Sequence, residues 1–290
     1  MPSRTRISNQ HFTVDVSALG AEMQAITAAD GREFLWDGDA AFWAGRSPIL
    51  FPIVGKAPED TVEIAGKAYP MAQHGIARRR EFALAASSPT MCRYELAASE
   101  DTMAVYPFDF VLAVEHALEE RSLTVTAEVT NWSETAMPFG LGFHPAFVWP
   151  LPGARKNAEH TITLDNRAEP EQSRLAGGLI DTAKLRSPFA AGRLVLERDM
   201  FVNDAMVFAE GAGSGLVYGA EGGPALRFTF ENLPNLALWN KPGAPFLCIE
   251  PWHGTAALNG GSRELADRPY TTELAAGGKA RFAFTVELPV

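Results

Sequence analysis

Leu123-Thr124-Val125-Thr126-Ala127-Glu128-Val129-Thr130 alternates apolar and polar residues without a break. Successive side chains on a strand point to opposite faces, so Leu123, Val125, Ala127 and Val129 share an apolar face and the other face is polar. The same period returns at Phe12, Val14 and Val16, at Leu226, Phe228 and Phe230, and through residues 282–288. No stretch carries a 3.6-residue period through three turns of helix. Short alternating segments with turn residues between them predict an all-β chain, a sandwich or barrel-like architecture. The 290 residues show no linker-like shift in composition and no internal repeat, so one domain spanning 1–290 is expected.

Local signals refine this expectation. Asp30-Gly31 predicts a hairpin-type turn, and Ala65-Gly66 joins residues 62–64 and 67–69 as a short hairpin. Residues 33–36 and 41–43 follow the first turn, with Trp36 and Trp43 expected in the core. Pro48 and Pro52 make residues 46–56 a buried crossing segment rather than a central strand. The glycine-rich residues 210–215 lie between two β-like segments and open no helix, which predicts a hairpin turn and not a nucleotide loop.

Composition excludes several functions. Lys and Arg number 25 against 35 Asp and Glu, a formal charge of -10, which argues against nucleic acid because nonspecific binding rests on neutralised phosphates. Cys92 and Cys248 are far apart in sequence and form neither a disulfide framework nor a cysteine zinc site. No run approaches the roughly 18 apolar residues of a membrane span. Residues 1–19 hold no continuous apolar stretch of signal-peptide length, so a cytoplasmic protein is expected.

One segment places a carboxylate at the end of an apolar run: Phe246-Leu247-Cys248-Ile249-Glu250-Pro251-Trp252-His253-Gly254. Read as a strand, it sets Phe246, Cys248 and Glu250 on one face and Leu247 and Ile249 on the other. Pro251 lacks a ladder donor, which predicts Glu250 at or near the last paired position, with Trp252 as a flat apolar wall beside it. Gly142-Phe143-His144-Pro145-Ala146-Phe147 places His144 in a similar setting. Arg46, His74 with Arg78, and Asp204 within Phe201-Val202-Asn203-Asp204-Ala205-Met206-Val207-Phe208 are further ionisable groups among apolar residues. Each alone reads equally as a core ion pair or a core histidine. Burying several costs free energy unless they are paired, so together they predict a shared site. In the run Arg78-Arg79-Arg80, Arg78 and Arg80 share a strand period, and at least one of the three is expected to point inward. A zinc site of His74, His144, His253 and Glu250 is the alternative, but no pair has the close spacing of a helical site. Nucleophilic catalysis lacks support, since no Gly-x-Ser-x-Gly elbow is present and neither cysteine lies in a Cys/His context.

Four segments occur in a telling order: Ser47-Pro48-Ile49-Leu50-Phe51-Pro52-Ile53-Val54-Gly55, His74-Gly75-Ile76-Ala77-Arg78, Gly142-Phe143-His144-Pro145-Ala146-Phe147 and Ile249-Glu250-Pro251-Trp252. Together they resemble the aldose 1-epimerase (galactose mutarotase) family, and within it the LacX-like branch, from about residue 20 onward. The resemblance implies a β-supersandwich of the galactose mutarotase-like fold, with the site on the concave face of the larger sheet. It implies His144 as the general acid to the sugar ring oxygen and Glu250 as the general base on the anomeric hydroxyl. It further implies that His74 orients the sugar, that Arg46 or Arg78 binds it and that Asp204 grips a hydroxyl. Trp252 and Trp239 are candidates for a flat face against the ring. Gly55-Lys56-Ala57-Pro58 departs from the family's Asn-Arg motif, which leaves the arginine open. The implied reaction interconverts the anomers of a hexose, with a small-molecule sugar as partner and no cofactor or metal. Two other readings stand beside it. One is a hexose-6-phosphate 1-epimerase in which Arg78, Arg79, Arg80 and Lys56 hold the phosphate. The other is a carbohydrate-binding protein of the same fold without catalysis.

Overall fold

A computed structural model describes residues 3–289. The strand Ser122–Asn131 lies inside a nine-stranded sheet, between Phe110–Glu119 and Lys279–Glu287, antiparallel to both. Its register sets Leu123 opposite Val286, Val125 opposite Phe284 and Ala127 opposite Phe282. All six side chains are buried, as the alternation predicts. The intervening residues form the opposite face, where Thr124 and Thr285 hydroxyls meet at 2.9 Å and Arg93 pairs with Glu95, Glu115 and Glu128.

A six-stranded sheet packs on the apolar face. Its order is Met206–Phe208, Asn235–Trp239, Phe246–His253, Leu141–Phe143 and Ile49–Leu50, with Ala146–Val148 also paired to Phe246–His253. Rings interlock between the layers: Phe143 meets Phe284 at 5.0 Å and Phe147 meets Phe228 at 5.1 Å, both edge to face. Leu247 and Ile249 join this core. Each such buried side chain contributes about 1.5–3 kcal/mol. The three-stranded sheet Arg4–Ser8, Phe12–Ser17 and Met23–Ala28 adds Phe12, Val14 and Val16 to it. The hairpin Thr61–Ile64 with Lys67–Pro70 forms around Ala65-Gly66 as expected.

The single α-helix among the described residues is Glu100–Met103, capped by Ser99, whose hydroxyl accepts from the Thr102 N–H. No helix among them is long and apolar enough to cross a membrane.

Four local expectations give way to tertiary context. Residues 33–36 make two isolated bridges, Glu33 to Thr27 and Leu35 to Phe147, and residues 41–43 are a turn, which leaves Trp43 half-buried while Trp36 packs inside. Residues 210–215 do not close a hairpin: they carry the chain from Met206–Phe208 in the smaller sheet to Gly215–Ala220 in the larger. The strand runs through Pro251 to His253. Its flank changes partner there, from Ala146 opposite Cys248 to Gly142 opposite Trp252, so a missing donor at residue 251 breaks no continuous ladder. Glu250 also belongs to the smaller sheet, not the larger. The larger sheet spends its apolar face on the interlayer core, and the outward face of the smaller sheet is the one left open to a cleft.

Candidate active site

Glu250 reaches the cleft by strand alternation. Phe246 and Cys248 pack with Trp36, Ala146 and Ala244 on one face, and Glu250 follows on that face, 1% exposed. Ala237 stands opposite Glu250, and Trp239 stands opposite Cys248. His144 comes from the neighbouring segment, just after Leu141–Phe143, with its N–H bonded to the Pro48 carbonyl at 3.2 Å. Gly142 is required here: a Cβ at that position would lie 2.5 Å from the Trp252 indole. Without one, the Trp252 side chain lies across the strand and into the cleft wall.

His74 adopts φ +66°, a region that few non-glycine residues occupy. Two bonds to Gly55 hold it there. Its N–H donates to the Gly55 carbonyl at 2.8 Å, and its Nδ1 accepts the Gly55 N–H at 3.1 Å. Because a backbone N–H can only donate, the neutral ring carries its proton on Nε2. Strain of this kind persists where surrounding structure over-determines it, and such positions cluster at functional sites.

The cleft encloses about 430 Å³, a size suited to a small ligand. His144 Nε2 stands 3.2 Å from Glu250 Oε2 at its floor. That approach is not a formed hydrogen bond. Both Glu250 oxygens, His144 Nδ1 and Trp252 Nε1 are buried without a hydrogen-bond partner. The His144 ring lies 4.9 Å from Trp43, 5.8 Å from Trp239 and 5.6 Å from His74. Burial pushes the Glu250 carboxyl well above the usual carboxylate range, and the nearby charge of Asp204 adds to the shift. Burial pulls His144 down to about 3, helped by Arg78. His74 is also well below the ordinary imidazole value, through burial and then through His144, Arg78 and Arg79. Burial therefore favours the uncharged form of each partner.

His74, Arg78, His144, Asp204, Glu250 and Trp252 all line this cleft. Arg46 does not. Its guanidinium bonds the Asp37 carbonyl and the Gln24 side chain, because a neighbouring loop offers it acceptors first. Asp204 is exposed on the rim instead of buried among apolar neighbours. It occupies a turn at φ +69° between Arg198–Phe201 and the strand that begins at Met206, and its Oδ1 accepts the Ala205 N–H at 2.9 Å. Arg78 and Arg79 lie within the 3₁₀ turn Ala77–Arg79 and Arg80 caps it, so strand period does not sort them. Arg78 and Arg79 line the cleft, while Arg80 turns away to Asp101 at 3.1 Å. The four-residue zinc set does not assemble: His253 packs on Phe282 and bonds the Asn232 carbonyl. Trp43 and Gln73 line the cleft although no sequence signal marks them.

The sequence model of the aldose 1-epimerase family matches residues 3–264. The plasmid-encoded protein LacX of Lactococcus lactis subsp. lactis is 29% identical over 282 residues, covering 92% of this chain and 93% of that protein. Two solved structures are similar over nearly the whole chain. A galactose mutarotase related enzyme from Lactobacillus acidophilus superposes with a TM-score of 0.94 at 25% identity, covering 99% of this chain and 98% of that one. A galactose mutarotase-like protein from Lactobacillus casei gives 0.92 at 29% identity, covering 99% and 100%.

Proposed function

The chain belongs to the aldose 1-epimerase family of isomerases, and we propose that it interconverts the α and β anomers of a hexose by acid/base opening and closure of the ring. The observation that carries this reading is the pair His144 and Glu250, 3.2 Å apart, buried and short of hydrogen bonds. The anomeric oxygen O1 and the ring oxygen O5 are attached to the same carbon. A base for one and an acid for the other must therefore stand side by side, as these two do.

In the reactive arrangement Glu250 is a carboxylate and His144 an imidazolium. A sugar hydroxyl supplies the hydrogen bond that the Glu250 carboxylate lacks and so favours that arrangement. Glu250 takes the proton of O1–H while His144 gives its proton to O5. The C1–O5 bond breaks, C1 becomes a carbonyl carbon and the C1–C2 bond rotates. Closure on the other face of C1 reverses both transfers and restores the pair. Each positioned acid or base contributes roughly 10²- to 10⁴-fold. His74 offers its Nε2–H to a hydroxyl, Asp204 accepts from another at the rim, and Trp43, Trp239 and Trp252 present apolar faces to the ring.

Polarimetry of freshly dissolved α-D-glucose and α-D-galactose tests this. The protein should speed equilibration, and Glu250→Gln and His144→Asn should each remove nearly all of the acceleration while the far-UV spectrum is retained. Near-native turnover by either folded variant refutes the roles.

One observation favours a second reading, a phosphorylated hexose. Arg78 is half-buried in the cleft wall and has no salt-bridge partner among the described residues. Arg79 adjoins it, and a groove continues past Gln73 and Arg79 to Lys56. Glucose and glucose 6-phosphate compared by exchange NMR would separate the two: selective turnover of the phosphate would replace the neutral-hexose reading.

A further inference from the structure

We propose that the floor of the cleft binds a thiophilic divalent cation of the zinc class through His144, Cys248 and Glu250, and that the bound ion reversibly blocks the sugar site. Cys248 and Glu250 are two positions apart on the strand Phe246–His253, so their side chains leave the same face. His144 meets them from the adjoining segment. One nitrogen, one sulfur and one carboxylate oxygen lie within 4.8 Å of one another, and all three residues are buried. Both Glu250 oxygens are unpartnered, which is an independent sign that this floor awaits a ligand.

The donor set fits that class of ion. Zinc takes imidazole, thiolate and carboxylate donors at about 2.0–2.3 Å in a tetrahedron, which puts the donors roughly 3.5 Å from each other. The 3.2 Å gap between His144 and Glu250 is close to that spacing, and the Cys248 sulfur lies within 4.8 Å of both. Three protein donors leave the fourth position facing the cleft, for water or a sugar hydroxyl. Binding takes Cys248 as thiolate and Glu250 as carboxylate and holds both members of the acid/base pair. Magnesium, which prefers six oxygens at octahedral positions, finds one carboxylate here and binds poorly. The ion is an inhibitor in this scheme, because the sugar reaction moves only protons. The inhibitory consequence rests on the reading of His144 and Glu250 given above, but the binding does not.

Titration of the protein with Co²⁺, followed by electronic absorption, tests the binding directly. A thiolate-to-cobalt charge-transfer band is expected in the wild type and in Cys92→Ala, and its absence in Cys248→Ala. The mutarotation assay in zinc buffers should then show inhibition competitive with sugar. With each protein referred to its own metal-free rate, Cys248→Ala should need about tenfold more free zinc for the same fractional inhibition. If Cys248→Ala does not fold, Cys248→Ser serves as the second variant, and the wild-type and Cys92→Ala spectra still decide whether a thiolate at residue 248 binds. No charge-transfer band in folded wild type, or equal zinc sensitivity in the two proteins, overturns the proposal. Cobalt spectra with the expected bands but no sugar turnover would uphold the metal site and reject the epimerase reading.

Discussion

The two sheets treat charge in opposite ways. On the outer face of the nine-stranded sheet, Arg93 meets Glu95 and Glu128, Arg281 meets Glu231, and Arg121 meets Glu287. Those groups keep water beside them, and their pairing adds little stability. In the cleft of the six-stranded sheet, Glu250 and His144 are buried, close together and unsatisfied. A buried polar group without partners costs roughly 1–3 kcal/mol. The contrast extends in part to histidines: His116 is as buried as His144 and its Nδ1 also lacks a partner, but its Nε2 lies 2.9 Å from the Ala21 carbonyl, a structural bond. Single atoms without partners also occur elsewhere, at Gln172, Asn240 and Thr272, and the cleft differs in gathering several of them around Glu250.

The contrast is sharpest at the acid/base pair. Glu250→Gln and His144→Asn should each lower kcat/KM by about 10²- to 10⁴-fold, the largest effects expected. Their stabilities should part company with pH. Burial raises the Glu250 pKa, so above about pH 4.5 the unfolded chain releases a proton that the folded one keeps, and wild-type stability falls as pH rises. Glu250→Gln should lack that fall. Burial lowers His144 to about 3 from 6.5, so below 6.5 the unfolded chain takes up a proton that the folded one refuses. Wild-type stability should drop as pH falls through that window, and His144→Asn should show a smaller drop, since His74 and His116 are lowered by burial too. Urea unfolding of the three proteins across pH checks both signs, and parallel curves would mean that neither group is perturbed by folding.

A smaller effect is expected at the aromatic wall. Trp239→Ala should raise KM by a factor of roughly 2 to 10, the value of one stacking contact, with kcat little changed. Steady-state kinetics would show instead a fall in kcat if the indole positioned His144. Among the arginines, Arg78→Ala should raise KM and Arg46→Ala should leave it within about twofold, since the Arg46 guanidinium is held by Asp37 and Gln24. Equal losses would return Arg46 to the substrate. The smallest effect belongs to the outer face: Arg281→Ala should cost under about 1 kcal/mol in urea unfolding and leave turnover unchanged.

Much of the core was legible because strand alternation is local. Leu123, Val125, Ala127 and Val129 declare their face in sequence, and the structure buries all four. Phe246, Cys248 and Glu250 likewise separate from Leu247 and Ile249 as their order predicts. The site was legible only in part. Glu250 and His144 stand out as ionisable residues inside apolar segments. Trp43 looked like a core residue, since nothing within residues 41–43 tells whether an indole ends inside or on a cleft wall. Asp204 looked buried because it stands among apolar residues, whereas a turn lifts its carboxylate to the rim.

The sequence by itself determined the all-β class, the faces of the long strands, and the ordered motifs that carry the family resemblance. These depend on neighbours one or two residues away. Tertiary structure alone decided which sheet carries the cleft, which arginine faces it, and that His144 stands 3.2 Å from Glu250 across more than a hundred residues of chain. Those outcomes depend on where loops close and which acceptor a side chain meets first. A linear pattern with a period of two carries no record of either.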